Sequence, residues 1–243
     1  MQSRKYIDEL ILLHDRVSDW NVYPYSVPSV KKLKSLHFPG PVTCLLGDNG
    51  AGKTTILESI AVLSGLNLEG GSLRHDFSST GRVSRLSESI RLSRSGGKTL
   101  SKSNAFFYRA EHFAHFVKTA GFLQHPILGC ADLTKLSRGE AFHALVKFCF
   151  AKPGLYLLDE PEVALPPTQQ LAFLRIMHDL VQLGSQFIVV SHSPIILAYP
   201  EAVLYEFSEE GVKKIDYEST EHYRTMHSFM LNRQSVLHEL LCD

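Results

Sequence analysis

The chain has 243 residues and a mass of 27.3 kDa, with 25 basic and 25 acidic side chains and no formal net charge. That length suits one large domain or two small ones, and 44% apolar with 21% charged residues excludes disorder, collagen-like repeats and a coiled-coil composition. The charge balance argues against a surface coated with basic residues for bulk nucleic-acid binding, and no apolar run approaches a membrane span.

The first residues, MQSRKYIDELILLHDR, carry acids inside their apolar stretch and no small-residue cleavage site, so no secretory signal is expected. Cys44, Cys130, Cys149 and Cys242 lack CxxC spacing. Three of them sit in apolar contexts and read as buried free thiols, which points to a reduced, cytoplasmic setting. Residues 1–40 mix short apolar stretches with Pro24, Pro28 and Pro39, a pattern of edge strands and turns. Val42–Leu46 is a short buried strand that runs into a glycine loop, and Lys53–Leu66 has helical spacing, with Ile56, Leu57, Ile60, Ala61 and Leu63 on one broad face.

Residues 70–104 differ in composition. They hold eight serines between Ser72 and Ser95, and the basic residues Arg74, Arg82, Arg85, Arg91, Arg94, Lys98 and Lys102. The segment reads as a solvent-facing insertion, and its charge suits either a solvated loop or a contact surface for an acidic partner or a nucleic-acid backbone. Arg138–Ala151 is helical, Leu155–Leu158 is a strand, and Thr168–Leu183 is a helix whose apolar face is Leu171, Leu174, Ile176, Met177, Leu180 and Val181. Phe187–Val190 is another fully apolar strand, so a parallel sheet buried on both faces is expected. Val203–Phe207 and Val212–Tyr217 read as an antiparallel hairpin, followed after Thr220 by a C-terminal helix.

Four short stretches carry the chemistry. Gly47-Asp48-Asn49-Gly50-Ala51-Gly52-Lys53-Thr54, continued by Thr55, fits GxxxxGK[ST] between a strand and a helix. A triphosphate needs such a loop, because only a side-chain-poor backbone lets successive N–H groups converge on it, with the positive end of a helix behind them. Lys53 is expected at the β- and γ-phosphates and the Thr54 hydroxyl on Mg²⁺. Asp159 and Glu160 end the Leu155–Leu158 strand, Asp159 as a holder of the Mg²⁺ shell and Glu160 as general base toward the attacking water. Ser137 and Gly139, at the start of a helix, read as an N-cap or as donors to an anion. His192, at the tip of the Phe187–Val190 strand, sits where ligands of open α/β sheets collect and is a candidate for the γ-phosphate and the attacking water.

Taken in order, GDNGAGKTT, LSRGE, LYLLDEPE and VVSHS resemble the ATP-binding-cassette (ABC) ATPases, with their Walker A, signature, Walker B and switch histidine. The resemblance implies an α/β P-loop fold, with a mostly parallel core sheet flanked by helices, a small antiparallel β region and a helical signature lobe. It implies ATP and Mg²⁺ as ligands and a homodimer on ATP binding, in which Ser137 and Gly139 of one copy meet the γ-phosphate held by the other. DEPEVAL and SHSPIILAYPEAVLYEF look more like the SMC/RecF/OLD branch of non-transporter ABC ATPases. YPYSVPSVKKL, GLNLEGG, FFYRAEHF, SRGEAF and EHYRTMHSFM resemble a family of short bacterial predicted ATPases.

The chain departs from the usual ABC pattern at Arg138, Glu140 and Pro166, and no Gln stands at a Q-loop. Glu111 either replaces that Gln as a metal- or water-linked group or forms a surface pair with Arg109. Tyr23 and Tyr25 are read as core aromatics, with adenine stacking as the alternative. His112 and His115 read as one helix face rather than a zinc site.

The expected layout is a single domain over 1–243. It comprises N-terminal strands and Walker A in 1–69, the basic insertion in 70–104, the helical signature lobe in 105–152, and Walker B, the switch strand, hairpin and C-terminal helix in 153–243. The expected function is Mg²⁺-dependent ATP hydrolysis by a head-to-tail dimer that acts as a conformational switch or motor for a partner in DNA repair, a mobile element or phage defence. It would act on a nuclease or similar effector, with nucleic acid a further possible partner and no membrane. The alternatives are the nucleotide-binding subunit of an ABC transporter and a non-catalytic binding module.

Overall fold

The computed structural model describes residues 5–68, 70–72, 85–94, 100, 104–113, 135–150 and 152–241. In chain order the strands are β1 (Glu9–Leu12), β2 (Ser35–His37), β3 (Val42–Gly47), β4 (Gly71–Ser72), β5 (Ile90–Ser93), β6 (Ala105–Arg109), β7 (Leu155–Asp159), β8 (Gln186–Val190), β9 (Val203–Ser208) and β10 (Gly211–Ile215). The helices are α1 (Pro28–Lys32), α2 (Lys53–Leu63), α3 (Arg138–Cys149), α4 (Pro167–Gln182), α5 (Pro194–Leu197), α6 (Glu221–Leu231) and α7 (Arg233–Leu241).

The main sheet has the order β10-β9-β3-β8-β7-β6-β4. Its five central strands, β9, β3, β8, β7 and β6, run parallel, and antiparallel β10 and β4 close the two edges. A strand buried on both faces must be apolar at every position, which is why VTCLL, LYLL and FIVV read as unbroken runs. Alternate side chains then feed two cores. Val42, Cys44, Leu46, Phe106, Tyr108, Tyr156, Leu158, Phe187 and Val189 point toward α3 and α4. Leu45, Ala105, Phe107, Leu155, Leu157, Ile188 and Val190 point toward α2 and a second, three-stranded antiparallel sheet, β2-β1-β5. On the first side, Phe150 stacks on Tyr156 with ring centroids 4.3 Å apart, and Tyr156 meets Phe187 at 5.0 Å.

Several elements differ from the sequence expectation. Residues 105–109 do not open a helical lobe but form β6, paired along its length with β7. The run AFFYR is buried on both faces, and the helix begins only at Ala110. The basic insertion is not solvent-facing throughout. Leu86 and Ile90 are buried in the second core, and β5 pairs with β1. Arg85, Arg91 and Arg94 of that segment are exposed, whereas Arg74, Arg82, Lys98 and Lys102 lie outside the described residues.

On α4 the inward face is Gln170, Phe173, Met177 and Leu180, while Leu171 is 58% exposed. Gln170 takes the inward position because its amide is satisfied there. Nε2 donates to the Leu165 carbonyl at 2.8 Å, and the amide oxygen accepts from Ser193 Oγ. The C-terminal segment is two helices, α6 and α7, without a buried side chain between them. Cys44 is buried and Cys149 half-buried, both as free thiols pushed up to about 12 by burial, while Cys130 and Cys242 lie outside the described residues. Among the described residues no helix is long and apolar enough to cross a membrane.

Candidate active site

Parallel strands bring their C-terminal ends to one edge of the sheet, and with β8 between β3 and β7 three of those tips stand side by side. β3 delivers the Gly47–Lys53 loop, β7 delivers Asp159 and Glu160, and β8 delivers Ser191 and His192. They open on a cleft of about 760 Å³ lined by Gly47, Asp48, Asn49, Glu160, Glu162, His192, Glu206 and, from α6, Glu221, His222, Thr225 and Met226.

The loop is possible only with glycine at its two ends. Gly47 has φ +124°, and a Cβ there would lie 2.1 Å from the Phe207 carbonyl oxygen on β9. Gly52 has φ +90°, caps α2, and would meet Val30 at 2.9 Å. Lys53 is buried behind the loop, donating from Nζ to the carbonyls of Gly47 at 2.6 Å and Asp48 at 2.7 Å. Burial lowers the Lys53 ammonium below its ordinary value, against the raising pull of Glu160, Asp159 and Asp48.

Thr54 Oγ1 donates to Asp159 Oδ1 at 3.1 Å. A hydroxyl and a carboxylate at this separation are the hard oxygen donors that Mg²⁺ accepts alongside water and phosphate, so the pair fits the ion the motifs imply. Burial pushes the Asp159 carboxyl up to about 6, with Arg109 and the Thr54 hydrogen bond pulling it down. Arg109, at the end of β6, pairs with Glu58 at 2.8 Å, Glu111 at 3.3 Å and Asp159 at 3.7 Å. Glu111 is 76% exposed and pairs with Arg109. Among the described residues no group of three or more His, Cys, Asp or Glu could hold a metal ion, and His115 lies outside those residues.

Glu160 adopts φ 52°, ψ 53°, the left-handed region that a residue with a Cβ enters at a cost of about 1–3 kcal/mol. The turn carries the chain from β7 into the short helical turn Pro161–Ala164 and leaves the carboxylate facing His192, Oε1 to Nε2 at 3.8 Å. Burial, then the nearby Lys53 and His222, hold the His192 imidazole below its ordinary value. Its backbone N–H donates to Glu162 Oε1 at 2.6 Å, and its Nδ1 stands 3.1 Å from His222 Nε2. Burial raises the Glu162 carboxyl, and its second oxygen is buried without a hydrogen-bond partner.

The signature residues lie elsewhere. Ser137 caps α3 in a full capping box. Its hydroxyl accepts from the Glu140 backbone N–H at 3.4 Å and donates to Glu140 Oε2 at 2.7 Å, while its own backbone N–H donates to that oxygen at 2.9 Å. Gly139 is buried against α4, where a Cβ would lie 2.2 Å from Gln169 Oε1. Neither Ser137 nor Gly139 is among the residues lining the cleft of its own chain.

Tyr25 is a core residue bonded to Arg85 and Ser89. Tyr23, expected beside it in the core, is instead 64% exposed, with its hydroxyl 2.8 Å from Thr55 Oγ1. The sequence offered Arg109 only as a surface partner of Glu111, not as the partner of Asp159, and gave Glu162 and His222 no role. The second acid of DEPE could have pointed to Glu162, but a lone Arg or His in a long helix or strand gives no such signal.

Residues 23–120 match the family described as an AAA domain. The chain is 31% identical over 161 residues to the tungstate uptake system ATP-binding protein TupC of Peptoclostridium acidaminophilum, covering 59% of this chain and 70% of that protein. It is 26% identical over 174 residues to ABC transporter G family member 22 of Arabidopsis thaliana, covering 64% of this chain but 23% of the plant protein.

Among solved structures it resembles cbiO1 from Clostridium perfringens, part of the ABC transporter complex cbiONQ, with TM-score 0.50 and 17% identity, over 95% of this chain and 97% of that one. It also resembles an SmcHead bound to the C-winged helix domain of ScpA, with TM-score 0.51 and 14% identity, over 86% of this chain and 97% of that one. The structural likenesses show the fold, a P-loop α/β sheet of ABC type. With the sequence relatives they place the chain in its family: it belongs to the ABC-type P-loop ATPases, whose members bind and hydrolyse ATP.

Proposed function

We propose that the chain, as one domain, hydrolyses ATP with Mg²⁺ at the strand-tip cleft and that two copies close head to tail around two nucleotides. Closing and opening would serve as a conformational switch for a partner, a nuclease or similar effector in DNA repair, a mobile element or phage defence, in a cytoplasmic setting. The observation that carries the ATPase reading is the convergence of Lys53, Thr54, Asp159, Glu160 and His192 where three adjacent strands end: Thr54 bonds Asp159, the charges of Asp159 and Glu160 act on Lys53, and Glu160 faces His192.

Phosphoryl transfer asks the protein for position and charge rather than covalent chemistry. The backbone N–H groups of Gly47–Thr55 cradle the phosphates, and Lys53 exchanges its loop carbonyls for phosphate oxygens. Thr54 and Asp159 would hold Mg²⁺, which would supply neutralisation of the phosphate charge. Glu160 orients the attacking water and accepts its proton. His192 donates to the γ-phosphate, and Tyr23, exposed beside Thr55, is the adenine-stacking candidate. Ser137 and Gly139 complete the site of a second copy. Glu111 is held by Arg109 and acts on Asp159 through that guanidinium rather than as a metal ligand.

The switch reading is supported by Glu140 in the signature, DEPE in Walker B and the absence of a Gln at the end of β6. The transporter-subunit reading is favoured by the names of the curated relatives. Hydrolysis by the purified chain is expected with Mg²⁺, to stop with EDTA, and to fall by about 10²–10⁴ in Glu160→Gln. Hydrolysis that survives both contradicts the ATPase reading. Stimulation by double-stranded DNA supports the switch; equal rates with and without it favour the transporter subunit.

A further inference from the structure

His222 is the second residue of α6, outside the sheet, yet its ring meets His192 with centroids 5.3 Å apart and its Nε2 3.1 Å from His192 Nδ1. Between two neutral imidazoles such a contact holds one proton, and where that proton comes from sets the tautomer of both rings. If His192 supplied it, His192 Nε2 would present a bare lone pair to Glu160 Oε1, 3.8 Å away, acceptor against acceptor. If His222 supplies it, His192 carries its proton on Nε2, the nitrogen that faces the Glu160 carboxylate. His192 Nε2 is buried and makes no hydrogen bond, so an N–H there is free for a phosphate oxygen.

A second set of contacts fixes α6 on the same loop. Tyr217 Oη donates to the Pro194 carbonyl, two residues past His192, at 2.9 Å. Thr220, fully buried, caps α6 by accepting from the Tyr223 N–H at 3.2 Å and donates to the Tyr217 carbonyl at 2.7 Å. The Tyr217 and Tyr223 rings pack at 4.9 Å. The start of α6 is therefore held where His222 meets His192, and His222 lines the nucleotide cleft.

We propose that His222 is a positioning residue: it donates from Nε2 to His192 Nδ1, holds His192 in its Nε2–H tautomer, and so aims that N–H at the γ-phosphate. The proposal rests on the ATPase reading of His192. Partners that fix the tautomer and orientation of a metal-bound histidine are worth about 10–100-fold in activity, and the same order is expected for a ring that must aim its N–H at a phosphate.

The test uses the full chain with Glu160→Gln as reference. Steady-state hydrolysis is measured for the wild type, His222→Phe, which keeps a ring without a donor, and His222→Gln, whose amide keeps an N–H. In parallel, long-range ¹H–¹⁵N spectra of histidine-labelled protein read the His192 tautomer without nucleotide. Expected are a kcat at least about tenfold lower in His222→Phe with KM for ATP held within about twofold, recovery of most of the rate in His222→Gln, and an Nε2–H pattern at His192 that His222→Phe turns into a mixture. The proposal is overturned if His222→Phe hydrolyses at the wild-type rate, if His222→Gln is as slow as His222→Phe, or if His192 shows an Nδ1–H pattern in the wild type. Should Glu160→Gln leave hydrolysis unchanged, the ATPase reading fails, and the spectra still decide the histidine pair.

Discussion

At the strand tips, Lys53 is buried against loop carbonyls, Asp159 shares a buried guanidinium, Glu160 is held in a left-handed turn, and oxygen or nitrogen atoms of Glu162, His192 and His222 lack partners. At the start of α3, Ser137 and Glu140 answer each other in a capping box and stay exposed. The first region carries strain and unmet hydrogen bonds, which persist only where surrounding structure enforces them and which cluster where ligands act. The second is complete by itself. The difference suits a cleft that gains most from a bound nucleotide and a signature that is a finished part, ready to be presented to another copy.

The largest expected effect removes the cleft's cation. Lys53→Ala should weaken ATP binding by about a hundredfold or more, since it deletes the charge behind the phosphate loop; titration calorimetry checks it, and unchanged affinity breaks the contrast.

A smaller effect runs the other way in stability. The Asp159 carboxyl is pushed up to about 6 from 3.8, so its proton-linked contribution to folding is fully present below about pH 3.8 and lost as pH rises through about 6. At pH 8 the buried carboxylate is a cost, and Asp159→Asn should stabilise the nucleotide-free chain by about 2 kcal/mol, a gain that shrinks as pH falls toward 4. Urea unfolding at the two pH values measures this, and the same variant should lose Mg²⁺-dependent hydrolysis. A variant less stable than wild type at pH 8 would deny that the cleft stores this cost.

The smallest effect concerns the signature. Ser137→Ala should cost about 1 kcal/mol through the lost cap, and ATP-driven dimerisation should weaken as well. If only stability changes, α3 begins with an ordinary cap and the comparison loses its second half.

How much of this could be read beforehand follows from local constraint. The phosphate loop is readable because few sequences satisfy a glycine turn, a lysine and a helix start together, and the structure requires glycine at 47 and 52. β7 and β8 are readable because a doubly buried strand leaves an unbroken apolar run. β6 is not, since AFFYR satisfies strand and buried-helix patterns alike and only its pairing with β7 decides. Leu86 and Ile90 were hidden in a serine-rich, basic stretch whose average composition says surface. On α4 the inward position of Gln170 breaks the apolar face, because its partners come from residues 165 and 193. His222 reaches His192 across 30 residues by way of Tyr217 and Pro194, a relation that no spacing rule encodes.

The central claim is that the two regions belong to one site shared between two chains. Light scattering of Glu160→Gln, with Mg²⁺ and with or without ATP, tests it most directly. The account predicts a monomer without nucleotide and a stable dimer near twice 27.3 kDa with ATP, weakened by Ser137→Ala in the same background. A Glu160→Gln chain that binds ATP tightly yet stays monomeric would contradict it.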